Sequence, residues 1–497
     1  MVEMKRRIAK NTTALLATRI INQIAGFILV VYATRRLGVA DFGTYSFVVA
    51  FYLVFELISF FGLSNFLPRE IGRRREDAGR YFIHAAALVA AVALLLVAVM
   101  NAVAYGYQLG AEAHLAVVIC SFALLPAALG AAAEASFIGI EKAEFITLLT
   151  FIKRLLITTL SVVALYLGRG VLGLVVVRAA VEFASAALTV PLCLWQTRAP
   201  GSTLKWDWAF ARGLLKGAAP FAGLAVLASI YWRIDVLLLQ KLAGAAEVGI
   251  YSASYRLMFL LTLVPESFMN AVYPNLARLW HEDKSRFGQV AERALRYLLA
   301  LALPAAAGAF VLSRGVVLLI YEQDFARSVQ VFSVLIFAVV PIYINNVYYR
   351  TLFAAERQFQ SILILIVNII VFAGAGLWLI PRWGATGAAA ALLISLAGAL
   401  IQNYVYTNVL VYKTRFGGAP LRSLGAAALM AAAVWFLWPH IPGAEAAGKL
   451  IQAGRLAIAA GAGIVFYVPL LWLTRVVGKK DLTAVKELVN RGPAAGV

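Results

Sequence analysis

The sequence predicts an all-α polytopic membrane protein. About fourteen transmembrane helices form two pseudo-symmetric six-helix lobes around a central cavity, with two further helices after them. Three observations predict this. Hydrophobic residues make up 63% of the chain and charged ones only 14%, against about a quarter charged in ordinary soluble domains. Apolar segments of about 20 residues, enough to cross roughly 30 Å of hydrocarbon, recur from one end to the other. A glycine-based motif also occurs twice: Gly38-Val39-Ala40-Asp41-Phe42-Gly43-Thr44-Tyr45-Ser46 returns 206 positions later as Gly244-Ala245-Ala246-Glu247-Val248-Gly249-Ile250-Tyr251-Ser252.

The elements follow in order. Segment 11–33 is too long for a signal-peptide core and lacks a cleavage context, so it reads as a resident helix. Segments 42–64, 83–106, 113–137, 146–167 and 171–194 complete a first lobe, residues 1–200. The linker from Thr197 to Lys216 is polar and basic, and holds Pro200, Gly201, Trp206 and Trp208, the tryptophans suiting a membrane interface. Segments 215–240, 249–272, 291–313, 328–354, 360–380 and 386–411 form the second lobe, residues 201–412. Segments 422–440 and 453–475 are the appended pair, within residues 413–497, and a basic tail follows them.

The repeat extends beyond its motif. Pro68 falls 22 residues after Ser46 and Pro274 falls 22 after Ser252, and Gly170-Val171-Leu172-Gly173 is echoed 214 residues on by Gly384-Ala385-Thr386-Gly387. Residues common to both copies read as architectural: Gly38, Asp41, Gly43 and Tyr45, with Gly244, Glu247, Gly249 and Tyr251. An even number of helices per repeat makes both copies enter from the same side, which places the symmetry axis along the membrane normal.

The formal charge of +20, from 44 basic and 24 acidic residues, does not point to nucleic acid. Basic residues concentrate on alternate connections: clusters at Lys5–Lys10, Arg69–Arg80, Lys205–Lys216, Arg278–Arg296 and Lys413–Arg422, and in the tail, face only eight on the intervening ones. That is the positive-inside pattern, with both termini cytoplasmic. Cys120 and Cys193 fall in predicted helices and imply no disulfide. His84, His114, His281 and His440 are scattered without ligand spacing, so no metal or other cofactor is expected. No external loop exceeds roughly 15 residues, too short for a catalytic domain, and no GxxxxGK[ST] loop is present.

Ionisable residues inside predicted helices are the functional candidates, because each costs at least about 2.5 kcal/mol at the bilayer centre. Arg19 with Asn22 and Gln23 forms a polar stripe on the first helix, and Arg154 with Thr158 and Ser161 forms another. Lys153 and Arg154 also lie within reach of the cytoplasmic interface. Arg233 and Asp235 are two residues apart and cannot share a face. Arg256 lies deep in the eighth segment. Arg178 and Glu182, spaced i to i+4, read as a mutual pair. Glu56 with Tyr52 and Ser59, and Asp235, are candidate coupling or structural carboxylates; nothing in the residues selects Na⁺ or H⁺. Glu266 beside Pro265 is placed to satisfy backbone freed by a kink. Asn345, Asn346 and Tyr349 suit either sugar contact or helix–helix hydrogen bonding. Shifted by the repeat offset, Arg19, Arg233 and Arg256 meet Ala225, Phe27 and Ala50, so these cations are not part of the shared architecture.

The run from Arg36 to Arg75, with Leu37-Gly38, Gly43-Thr44-Tyr45-Ser46 and Pro68-Arg69-Glu70, resembles the N-terminal signature of polysaccharide-transport proteins. These are the O-antigen type lipid-linked oligosaccharide flippases of the multidrug/oligosaccharidyl-lipid/polysaccharide (MOP) exporter superfamily. Trp232-Arg233-Ile234-Asp235 and Gly384-Ala385-Thr386-Gly387-Ala388 fit the same pattern. The resemblance implies an inner-membrane flippase that moves a polyprenyl-diphosphate-linked oligosaccharide outward by alternating access, beside glycan polymerase machinery. On that reading Arg19, Arg154, Arg233 and Arg256 hold the diphosphate and the two lobes rock around it. The rival readings are a lipid II flippase, a cation-coupled multidrug exporter, and a membrane glycan polymerase or ligase.

Overall fold

The computed structural model describes residues 2–197, 206–414, 418–441 and 448–473, with side chains, a few isolated positions aside, from Gln23 onward. Pro200 and Gly201 of the linker, Arg415 and the basic tail lie outside the described residues. Every regular element among the described residues is helical. In chain order they are α1 (Val2–Ser59), α2 (Leu63–Arg73), α3 (Ala78–Tyr105), α4 (Ala111–Phe122), α5 (Leu124–Gly139), α6 (Ala143–Tyr166), α7 (Gly170–Thr197), α8 (Trp208–Ala243) and α9 (Ala245–Leu261). Then come α10 (Leu263–Glu282), α11 (Lys284–Val311), α12 (Ser313–Tyr321), α13 (Ser328–Leu335), α14 (Val339–Ala354), α15 (Gln358–Leu410), α16 (Ala419–Leu437) and α17 (Lys449–Leu473).

Twelve stretches of the described residues are long and apolar enough to cross a membrane. Two of them hold a non-helical glycine that splits one long element into two helices: Gly38 in α1 (φ 74°, ψ −176°) and Gly384 in α15 (φ 53°, ψ −128°). Counting both halves restores the fourteen crossings that hydropathy predicts. Gly244, between α8 and α9, takes almost the same conformation as Gly38 (φ 83°, ψ 180°). This backbone region is essentially confined to glycine. Since a Cβ at either position meets nothing within 4 Å, conformation rather than space demands the residue. The second echo behaves alike: Gly170 and Gly384 both have positive φ.

Chain contacts divide the protein into an N-terminal unit, Ala14–Gly249, and a C-terminal unit from Ile250 onward, to which Met1–Thr13 also belong. In the N-terminal unit α5 is a small-residue helix whose Ala127, Ala128, Ala132, Ala133 and Gly139 are buried, and α2, α3 and α7 pack around it. Helix α8 joins this unit through close contacts: a Cβ on Gly217 would meet the ring of Phe66 at 2.5 Å, and one on Gly62 would meet Phe221 and Ala222. Its start is pinned to α3. Asp207 caps α8 by accepting from the Ala209 and Phe210 N–H groups, takes a hydrogen bond from Arg80 at 2.6 Å, and donates its own N–H to His84 Nε2 at 2.9 Å. His84 stacks on Trp206 at 4.7 Å.

In the C-terminal unit α11 packs against α14 and α16, and α14 against α15. The appended helices close over a cluster of Leu312, Ala426, Met430, Val434, Ala459 and Tyr467, and the Tyr467 hydroxyl donates to Ala300 O at 2.8 Å. Arg455 is used here: it donates to Trp438 O at 2.8 Å and covers the Trp438 ring at 4.3 Å. Large apolar side chains such as Leu94, Leu95, Leu429 and Trp435 stay exposed, the faces that lipid covers.

Candidate functional site

The repeat motif forms a contact with itself. A Cβ on Gly43 would lie 1.7 Å from Ala245 O, and one on Gly249 would lie 2.1 Å from Val39 O. Ala245 and Gly249 are the repeat equivalents of Val39 and Gly43, so the contact is reciprocal. It has the form of an isologous two-fold interface within one chain, and only glycine lets the two backbones meet.

Ionisable side chains sit inside the apolar spans of α1, α6 and α7. Lys153 on α6 pairs with Glu182 on α7 at 2.6 Å, and Glu182 keeps only 3% of its side-chain exposure. Arg178, one turn earlier on α7, reaches Glu56 on α1 at 3.9 Å and lies 4.6 Å over the Tyr52 ring. The buried Tyr52 hydroxyl donates to Glu56 Oε1 at 3.3 Å. Glu134 of α5 lies within electrostatic range of Lys153. The expected Arg178–Glu182 pair is therefore corrected: each takes its partner from a neighbouring helix. At a buried helix–helix interface an opposite charge on the facing helix provides the pairing that an i to i+4 neighbour provides on an open surface. Lys153 likewise turns to Glu182, not to a cytoplasmic interface.

Arg154, adjacent to this set, is half-buried and lies within electrostatic range of the motif residue Tyr45 and of Arg178. Thr158, one turn on, has a buried hydroxyl without a hydrogen-bond partner, as do the Nε2 of Gln23 and the Nε of Arg178. Buried polar atoms of this kind call for water or a ligand. The side chains of Arg19 and Asn22 lie outside the described residues. Arg233 is half-buried and Asp235 is 7% exposed; Asp235 Oδ1 accepts from the Val236 N–H at 2.8 Å.

In the C-terminal unit Arg256 is half-buried and within electrostatic range of Tyr321 on α12. Burial pushes the Tyr321 hydroxyl well above its ordinary pKa, Arg256 only partly opposing this, so the phenol stays a protonated donor. Asn345 is committed to packing: it donates to Leu396 O at 3.1 Å and accepts from Asn403 at 3.1 Å. Asn346 Oδ1 is buried without a partner, and Tyr349 is 45% exposed with its ring 4.5 Å from Phe353. The backbone freed by Pro265 is satisfied by a tyrosine of α14. Pro265 leaves Leu261 O without its helical donor, and the Tyr343 hydroxyl fills that place at 2.8 Å, a role expected of Glu266. Arg154 and Arg233 thus belong to one unit and Arg256 to the other.

The fold is one that this chain shares with solved multi-pass membrane transporters. The chain is similar to the lipid II flippase MurJ in an inward closed conformation, with a TM-score of 0.74 at 12% identity over 92% of this chain and 98% of that one. It is also similar to an inward-facing multidrug resistance MATE family transporter, with a TM-score of 0.65 at 13% identity over 78% and 94%. Among curated proteins, the probable flippase AglR of Haloferax volcanii is 27% identical over 176 residues, 33% of this chain. The chain spans only 36% of that relative's length. A family described as Polysaccharide biosynthesis protein matches residues 8–280, and one described as Lipid II flippase MurJ matches residues 150–444. Each covers more than half of the sequence, and the chain belongs to the polysaccharide biosynthesis protein family.

Proposed function

We propose that the protein translocates a polyprenyl-diphosphate-linked oligosaccharide from the cytoplasmic to the outer leaflet of the inner membrane, for O-antigen or other surface polysaccharide synthesis. Arg19, Arg154, Arg233 and Arg256 would hold the diphosphate. The observation that carries this reading is the half-buried Arg154 inside an apolar span, next to buried donors that lack protein acceptors. Guanidinium groups in low dielectric give strong, bidentate hydrogen bonds to phosphate oxygens. A diphosphate carries about two negative charges, so outward movement across 100 mV, negative inside, releases up to roughly 4–5 kcal/mol.

The test is translocation of a lipid-linked oligosaccharide in vesicles reconstituted with the protein. Arg154→Ala and Arg233→Ala should each slow it at least about tenfold, the loss of one charge-assisted contact, while insertion into the membrane is unchanged. Normal transport by both variants overturns the assignment. Collapsing Na⁺ and H⁺ gradients separately in the same vesicles tests Asp235 and Glu56 as coupling groups. A second reading, a lipid II flippase, is favoured by the MurJ family match over residues 150–444. Complementation of strains that lack each activity separates the two.

A further inference from the structure

A cleft in the C-terminal unit lies apart from the polar set described above. It runs between α11 and the start of α16, with Glu292, Arg296, Thr414, Pro420 and Ser423 in its lining, and is narrow and open to solvent.

Three features give it anion-binding character. First, α16 is nineteen residues long and its N-cap, Gly418, supplies no side-chain cap. Pro420 has no N–H and the Arg422 N–H is taken by Gly418 O, so the Ala419 and Leu421 N–H groups are the first-turn donors at the positive end of the helix dipole. Second, Ser423 is 1% exposed and its hydroxyl has no hydrogen-bond partner, although it faces this cleft. Ser121, Ser136 and Ser229, buried on other helices, each donate to a carbonyl of their own helix, while Ser361 on α15 shares the unpartnered state of Ser423. Third, Arg296 lines the cleft, and Arg422 folds back over the helix start, its Nε 3.3 Å from where a Cβ on Gly418 would stand. Glu292 is the opposing charge in the lining. Thr414 is held in place by its N–H, which donates to Asn408 Oδ1 at 2.8 Å.

We propose that this cleft binds a phosphate group, with the α16 N-terminus, Ser423 and Arg296 as donors. Donors arriving from a helix end, a hydroxyl and a guanidinium suit a tetrahedral oxyanion. The cleft lies among the lysines and arginines that the charge pattern assigns to the cytoplasmic side. Leu421 and Leu424 on the same turns are 75% and 53% exposed, an apolar flank where acyl chains would lie. A phospholipid headgroup and a soluble phosphate share the chemistry, and basic sites between helices at the cytoplasmic surface are known to take lipid headgroups.

The experiment uses the full chain in nanodiscs. One arm compares retention of phosphatidylglycerol with that of phosphatidylcholine by native mass spectrometry. The other titrates inorganic phosphate into phosphatidylcholine nanodiscs and follows the melting temperature, with chloride as control. Arg296→Gln should weaken binding about tenfold and Ser423→Ala several-fold, while Glu292→Gln should tighten it. A response to phosphatidylglycerol alone assigns the site to a lipid headgroup, and a response in both arms to phosphate from either source. Equal retention of both lipids with no phosphate response overturns the proposal. If Arg296→Gln does not fold, the other two variants decide: Glu292→Gln is a gain that misfolding cannot mimic, and no change in either variant rejects the site.

Discussion

The Lys153–Glu182 pair is the residue contact on which the interior of the N-terminal unit most depends. Glu182 is almost fully enclosed, so removing its charge leaves an ammonium in a medium that cannot solvate it. Glu182→Gln should destabilise the protein by about 3 kcal/mol, whereas Lys153→Met combined with Glu182→Leu should recover most of that loss. Thermal melting in detergent across the double-mutant cycle measures both. A second prediction concerns Asp207. The Phe210 N–H above all holds its carboxyl below the ordinary aspartate pKa; desolvation opposes this, and the Ala209 N–H and Arg80 add to the lowering. A carboxyl with a lowered folded pKa stabilises the fold above its unfolded value, about 3.9, and that contribution disappears as pH falls through the folded value. The melting-temperature gap between wild type and Asp207→Asn should therefore hold steady from pH 7 to about pH 4 and close below it. The sequence shows which charges lie inside the apolar spans, because a cation in a 20-residue hydrophobic run is conspicuous. It does not show their partners, because Lys153, Arg178, Glu182 and Glu56 pair across helices whose relative rotation no local spacing encodes.

Among the elements, the two glycine turns carry the clearest local instruction. At Gly38 and Gly244 the backbone occupies a region that a Cβ disfavours by about 1–3 kcal/mol. Gly38→Ala and Gly244→Ala should each lower stability by that order, without the steric contribution expected at Gly43 or Gly249, where a Cβ would strike a carbonyl. Chemical denaturation of the four variants side by side checks the distinction. These turns were legible because glycine is informative and the motif repeats. The break at Ala123, which divides a single apolar segment into α4 and α5, was not, and at Thr262, between α9 and α10, the kink beside Pro265 was legible but not what satisfies it. A proline lies three residues beyond each break, but the group that compensates is remote in sequence. For Leu261 O it is the Tyr343 hydroxyl, so Tyr343→Phe should cost about 1–3 kcal/mol by leaving a buried carbonyl unpaired.

For the whole molecule, the reciprocal contact between motif copies ties the internal duplication to the proposed transport cycle. Val39 to Gly43 and Ala245 to Gly249 approach backbone to backbone at two glycines, both within the N-terminal unit. In the proposed topology this seam faces outward, with Arg35, Arg36 and Lys241 flanking it on the sparsely basic side. Alternating access about a central site requires an outer closure that opens once per cycle. A wedge at the seam should then shift the population toward the outward-open state: Gly43→Leu or Gly249→Leu forces the two backbones apart by the width of a side chain. The readout is the labelling rate of an Ala246→Cys variant by a membrane-impermeant maleimide added from outside. The native Cys120 and Cys193 are fully buried and give little background. Labelling should rise several-fold with the wedge and fall when the lipid-linked substrate is supplied from the cytoplasmic leaflet, because a ligand that binds the inward state draws the population back. Unchanged labelling in both wedge variants would show that the seam is a fixed hinge and that closure lies elsewhere.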